Sequence, residues 1–160
     1  MSFKAKFISK KESLQDYAVM PLEGPWWVEN TEGFDIQGKI NWKWTAMIRK
    51  PYFITNDIND IIEKALKEVE KKKNPPVLSR LRFESLHEGL SAQIMHIGSY
   101  PEEEPTIEKL HNFIKEKGYE FGGSISGERH HEIYLSDVRR TKPEKLKTII
   151  RQPIKQKKRE

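Results

Sequence analysis

Six consecutive residues hold the densest chemistry in the chain: His130-His131-Glu132-Ile133-Tyr134-Leu135. Alternation in a strand sends His130, Glu132 and Tyr134 to one face and His131, Ile133 and Leu135 to the other. A carboxylate beside aromatic rings suits an organic cation: the rings offer their negative faces and the carboxylate supplies the counter-charge. The same carboxylate, partly buried, also suits general acid or base work, with Tyr134 orienting or donating a proton. The plain alternative is a solvated sheet face on which Glu132 pairs with a neighbouring Lys or Arg. If Ile133 and Leu135 face the helix layer, Glu132 and Tyr134 lie on the opposite side of the sheet.

The aromatic supply is the second feature. Trp26, Trp27, Trp42 and Trp44 fall within 19 positions. Tryptophan rarely finds full burial, so four on neighbouring strands indicate either a thick core or an aromatic-lined cavity.

Other chemistries lack their residues. The chain has no cysteine, which removes disulfides, thiolate metal sites and a cysteine nucleophile. Adjacent His130 and His131 point to opposite faces and do not readily share one ion. The His-x-Glu of His130 and Glu132 has no downstream Pro-Cys-x-x-Cys. There is no HExxH, no phosphate-cradling glycine loop and no Gly-x-Ser-x-Gly elbow. No metal and no cofactor is expected. No window approaches 18 consecutive apolar residues, so no membrane span is expected, and the start, MSFKAKFISKK, lacks the apolar core of a secretory signal; the expectation is a cytoplasmic protein. The formal charge of +5 is local: Arg139 to Glu160 holds 10 basic and 2 acidic residues, and the rest of the chain is slightly acidic. Nucleic acid is therefore not an expected partner, because a binder spreads Lys and Arg over a working face. KQKKRE reads as a solvated tail.

The elements that must position these residues follow from periodicity. Ile58, Ile61, Ile62, Ala65, Leu66 and Val69 make one apolar stripe and predict a helix over 56–73, capped by Thr55 or Asn56 and stopped at Asn74-Pro75-Pro76. Ile107, Leu110, Phe113 and Ile114 predict a second over 106–117, ending at Gly118. Thr141-Lys142-Pro143-Glu144 has the capping-box spacing of a short third. Strands are expected at 17–27, at 41–49 with Trp42, Trp44, Ala46 and Ile48 on one face, at 81–86 and 90–97 as a hairpin, at 130–135 and at 148–154. Residues 122–127 read as a flexible loop. Strands broken by single helices indicate an α+β fold with a largely antiparallel sheet.

Longer segments resemble the GyrI-like small-molecule-binding family: MPLEGPWW, WKWTAMIRKPYF, LRFESLHEGLSAQIMHIGSYPEEEPTIEKLHNFI and HHEIYLSDVRRTKPEKLKTIIRQPI. The match runs from about Tyr17 to Ile154, and its most specific pieces are His96 to Tyr100 and the Glu-Ile-Tyr-Leu-Ser-Asp run that begins at Glu132. The resemblance implies two pseudo-repeated sheet-and-helix modules around a central groove: a single domain over 1–154, with a first module at 1–54, a linking helix at 55–80, a second module at 81–154 and a basic tail at 155–160. The family pattern places a strand or hairpin and most of a helix before MSFKAKFISKK, so the first module is expected to be shortened. That leaves an open sheet edge through which a protein partner or a second copy would pair.

Relatives of this kind bind hydrophobic, often cationic compounds over a buried glutamate, and Glu132 matches that position. The implied ligand-binding set is Trp26, Trp27, Trp44, Phe83, Met95, Tyr100, His130, Glu132 and Tyr134. A stand-alone subgroup is similar to proteins that hydrolyse cyclopropane-bearing DNA-alkylating compounds with a Glu and a Tyr. Here these are Glu132 with Tyr134 on its own strand face, or with Tyr100. The functions in play are thus binding of a planar or cationic compound, hydrolysis of a strained ring, and inhibition of a DNA-handling enzyme through the basic tail. A haem-binding reading, from a distantly similar fold, would use His130 or His96.

Overall fold

The computed structural model describes residues 1–12, 14–27, 43–54, 60–73, 75–122 and 129–157. Among these, three α-helices and six strands form an α+β fold with an open, antiparallel sheet. The chain packs as two compact units, Met1–Met20 with Ile48–Leu86, and Pro21–Met47 with His87–Glu160.

The first unit is helical. Helices α1 (Ser2–Lys11) and α2 (Ile61–Lys72) bury Ala5, Ile8, Ile61 and Ala65 together with Ile54. The α2 stripe falls where its period puts it: Ile61 and Ala65 are buried, and Ile62, Leu66 and Val69 are half-buried. Lys4–Glu68 and Lys64–Glu12, each 2.7 Å apart, tie the solvent side of the pair. Ile58 and the expected caps Thr55 and Asn56 lie outside the described residues. The residue that precedes α2 is Asp60, in the left-handed region at φ 45°, a conformation that Asp tolerates better than most residues.

The second unit holds the sheet. Strands β1 (Leu22–Trp27), β2 (Lys43–Trp44), β3 (Ser91–Ile97), β4 (Tyr119–Phe121), β5 (His130–Tyr134) and β6 (Lys147–Gln156) pair in the order β2-β1-β5-β6-β3, and β4 adds to the far end of β6. Helix α3 (Glu104–Glu116) lays Ile107, Leu110 and Ile114 on Ile150 of β6, flanked by Ala92 and Ile94 of β3. Residues directly opposite in a ladder share a face. Glu132 pairs with Ile150, and Ile150 with Ile94. The face that carries Glu132 is therefore the face that carries α3. The condition that Ile133 and Leu135 face the helix layer is therefore not met. The apolar bed for α3 comes from β6 and β3, not from β5.

Several strand boundaries differ from expectation for local reasons. The first strand begins only at Leu22. Among the described residues of the expected strand over 41–49, only Lys43–Trp44 and a bridge between Met47 and Glu23 are paired; Asn41 and Trp42 lie outside the described residues. Pro25 stands opposite this stretch, accepts from Thr45 N–H at 3.2 Å and has no N–H to return, so the ladder cannot run on unbroken. Residues 81–86 form no strand and no hairpin. Phe83, inside this segment, packs on the helical core of the first unit. The short helix after Thr141 is a single 3-10 turn, Pro143–Lys145. Strand β4 was not foreseen. All but Gly122 of the expected glycine loop lies outside the described residues. Among the described residues no helix is long and apolar enough to cross a membrane.

The face away from α3 is cross-linked by charge. His131 Nδ1 lies 2.7 Å from Glu88 Oε1, and its Nε2 lies 3.3 Å from Glu23 Oε2. Arg151 donates to Glu88 Oε2 at 2.7 Å and grips Gln93 Oε1 with Nε and Nη2. The network joins β1, β5, β6, β3 and the segment before β3. Burial opposes the imidazolium most strongly, but the contacts with Glu23 and Glu88 outweigh it and raise His131 to about 9. The folded chain thus holds this proton more tightly than the unfolded chain. The resulting stabilisation is complete below pH about 6.5 and is lost as pH rises through 9, a difference on the order of 3 kcal/mol. Urea unfolding at pH 6 and pH 10 is expected to show this loss in the wild type and not in His131→Gln. Equal pH dependence in the two proteins would contradict it.

Candidate functional site

Strand β5 is central in the sheet, between β1 and β6. A side chain at its middle meets neighbours on both sides and on the α3 face above. His130, His131, Glu132 and Ile133 are all buried. A carboxylate in such a place needs donors, and Glu132 has them. The Tyr134 hydroxyl donates to Oε2 at 2.6 Å, and His130 Nε2 lies 3.0 Å from Oε1. Both partners sit two residues away on the same strand, so the backbone sets the spacing. Trp26, opposite His130 on β1, donates its indole N–H to the Tyr134 oxygen at 2.9 Å. The result is one hydrogen-bonded line: Trp26, Tyr134, Glu132, His130.

Rings flank this line. Trp44 of β2 stacks on Trp26, with centroids 5.0 Å apart and planes 9° from parallel. Tyr100, on the 3-10 turn Tyr100–Glu102 that leads into α3, meets Tyr134 edge-on at 5.7 Å. That turn is anchored from below. His96 Nδ1 contacts Thr106 Oγ1 at 3.0 Å and Nε2 contacts the Ser99 carbonyl at 3.2 Å, while Ser99 and Glu102 close a capping box. The charges are arranged to keep the phenols neutral. Burial first, then the charge and hydrogen bond of Glu132, push the Tyr134 phenol far above its ordinary value. Burial, then Glu103 and Glu132, raise Tyr100 as well. His111 of α3 is lowered to about 4, by burial first and then by the charges of His130 and Lys115.

The structure therefore brings together Trp26, Trp44, Tyr100, His130, Glu132 and Tyr134. It does not bring three other expected residues to them. Trp27 is on the opposite face of β1, where Arg129 lies 4.2 Å over its ring. Met95 is exposed on the opposite face of β3, in the row of Ile149 and Ile133. Phe83 is in the helical core of the first unit. Two residues were missed. Glu103, buried just before α3, acts electrostatically on both tyrosines. Gly24 lies opposite Glu132, and a Cβ there would strike the Thr45 carbonyl and stand 3.0 Å from Trp44 Cε3. Glycine at this point lets β2 bring Trp44 down onto Trp26. Its signal was in the sequence, since a glycine inside a strand pattern marks a close approach. Glu103 gave none, being one of three consecutive glutamates. Among the described residues no cluster of His, Asp and Glu has the geometry to hold a metal ion.

Comparisons with known proteins agree with this fold. The model of the GyrI-like small molecule binding domain matches residues 2–155. A search of curated proteins finds no match. Among solved structures, an uncharacterized conserved protein from Listeria innocua is 36% identical with a TM-score of 0.82, over 96% of this chain and 74% of that one. A hydrolase from Listeria innocua is 34% identical with a TM-score of 0.76, over 96% and 73%. A second hydrolase from that organism is 36% identical with a TM-score of 0.77, over 96% and 74%.

Tyr134→Phe keeps the ring against Tyr100 but removes the hydroxyl between Trp26 and Glu132. Removing one hydrogen bond from the buried Glu132 carboxylate and one from the half-buried Trp26 indole is expected to cost about 1–3 kcal/mol. Chemical unfolding checks this, and a change within about 0.5 kcal/mol, the range of an ordinary surface substitution, would contradict it.

Proposed function

Because the chain belongs to the GyrI-like family of small-molecule-binding domains, we propose that it binds a hydrophobic, planar organic cation, with Glu132 as the counter-charge. The observation that carries this reading is the carboxylate held between Tyr134 and His130 beside a stacked tryptophan pair. A carboxylate so placed attracts a cation more strongly than one in water, because the surrounding dielectric is low. Trp44 remains 41% exposed, which leaves ring surface for a flat ligand to continue the stack begun on Trp26. A cationic ring gains on such a surface both by stacking and by attraction to the ring faces.

A second reading is supported by the two hydrolases among the similar structures and by the Glu132–Tyr134 hydrogen bond. In it the ligand is a cyclopropane-bearing electrophile of the DNA-alkylating kind. Glu132 accepts a proton from water and the water oxygen bonds to a ring carbon. The strained carbon–carbon bond breaks, and its electron pair passes to the conjugated carbonyl. That oxygen takes a proton from Tyr134, and Glu132 returns the proton through the same hydrogen bond. Of the two candidate tyrosines, Tyr134 suits this role because its hydroxyl touches the carboxylate.

Tryptophan fluorescence gives the test. Titration with a panel of planar compounds is expected to show saturable quenching by cations. Glu132→Gln is expected to weaken cation binding about tenfold or more, one charged contact of about 1.4 kcal/mol, and to leave neutral compounds unchanged. A flat response to the whole panel, or equal loss for cations and neutrals, would contradict the reading.

A further inference from the structure

We propose that His130 is a positioning residue for Glu132, not a ligand contact, and that it sets the preference of the site for a positive ligand. The inference rests on the reading of the site as a cation binder and adds the residue that makes the carboxylate selective. His130 is completely buried, so a ligand arriving from solvent meets Glu132 and the rings before it meets this imidazole. Its Nε2 lies 3.0 Å from Glu132 Oε1, on the oxygen that Tyr134 does not use. An ionised carboxylate only accepts hydrogen bonds, so Nε2 carries a proton in this contact.

The consequence is geometric. A carboxylate held by one donor can swing about its last bond, whereas one held on each oxygen by a separate donor cannot. The two donors reach Glu132 from two residues before and two residues after, on one face of one strand. The ring of His130 is itself confined. It has no exposed surface, and Trp26 stands opposite it on β1. The carboxylate plane is therefore fixed before a ligand arrives, and the ordering cost is not met at binding.

The test uses the full chain and two probes of the same shape, N-methylquinolinium and neutral methylnaphthalene, followed by tryptophan quenching. Thermal unfolding is recorded for every variant. The wild type is expected to prefer the cation. His130→Leu, which removes the donor, is expected to weaken the cation about tenfold and to leave the neutral probe unchanged. His130→Gln presents an amide N–H in place of Nε2–H and is expected to restore most of the preference. Undiminished cation preference in His130→Leu would overturn the inference alone. Equal losses for both probes in His130→Leu and His130→Gln, tracking the loss of thermal stability, would reduce His130 to a packing role and also overturn it. A wild type that does not prefer the cation would remove the binding reading, and this inference with it.

Discussion

One constraint organises the second unit: a carboxylate stands in the middle of a sheet, on the side that a helix covers. Glu132 cannot occupy that position without donors on both oxygens, and β5 supplies them from its own sequence as His130 and Tyr134. The choice of donors fixes the neighbours in turn. The phenol oxygen needs a donor of its own, which is the Trp26 indole. Trp26 needs its outer ring face covered, which is Trp44. Trp44 reaches it only because Gly24 has no side chain. Each link is a short-range requirement, and together they connect β5 to β1 and β1 to β2.

The two faces of β5 are both polar and both buried, yet they do different work. On one face the charges close on themselves, with Glu88 and Glu23 meeting His131 and Glu88 also meeting Arg151. That arrangement holds strands together and leaves no surplus for a ligand. On the other face Glu132 is held by the neutral phenol of Tyr134 and by His130, which lies 3.0 Å from its second oxygen. The first network is built for stability over the pH range where His131 stays protonated. The second sets a carboxylate beside aromatic rings, the arrangement that the proposed binding of a flat cation would use.

Much of this was legible in the sequence. The α+β class, the stripe of α2, the stripe of α3 and the common face of His130, Glu132 and Tyr134 follow from period alone. Which side of the sheet holds the helix did not. Ile133 and Leu135 look like a helix-facing edge, but the decision is made by the long-range partners Ile150 and Ile94, which no local pattern reveals. Trp27 and Met95 are a different case. Each belongs to a segment rich in site residues, and each turns away because alternation assigns it to the other face. The expected hairpin does not form, and Phe83 of its first arm packs on the helix pair instead of in a ladder. Gly24 was readable and was passed over; Glu103 was hidden among its neighbours.

The opposed orientation of Trp26 and Trp27 offers the most direct test of the account. Their indole N–H groups are separately observable by nuclear magnetic resonance on nitrogen-labelled protein, with assignment by single substitution. The central claim is that a planar cation meets the Glu132 face. Titration with N-methylquinolinium is then predicted to move the Trp26 and Trp44 indole resonances together, in a saturable way, and to leave Trp27 in place. Movement of Trp27 with Trp26 and Trp44 unmoved would place the ligand on the wrong face and contradict the claim.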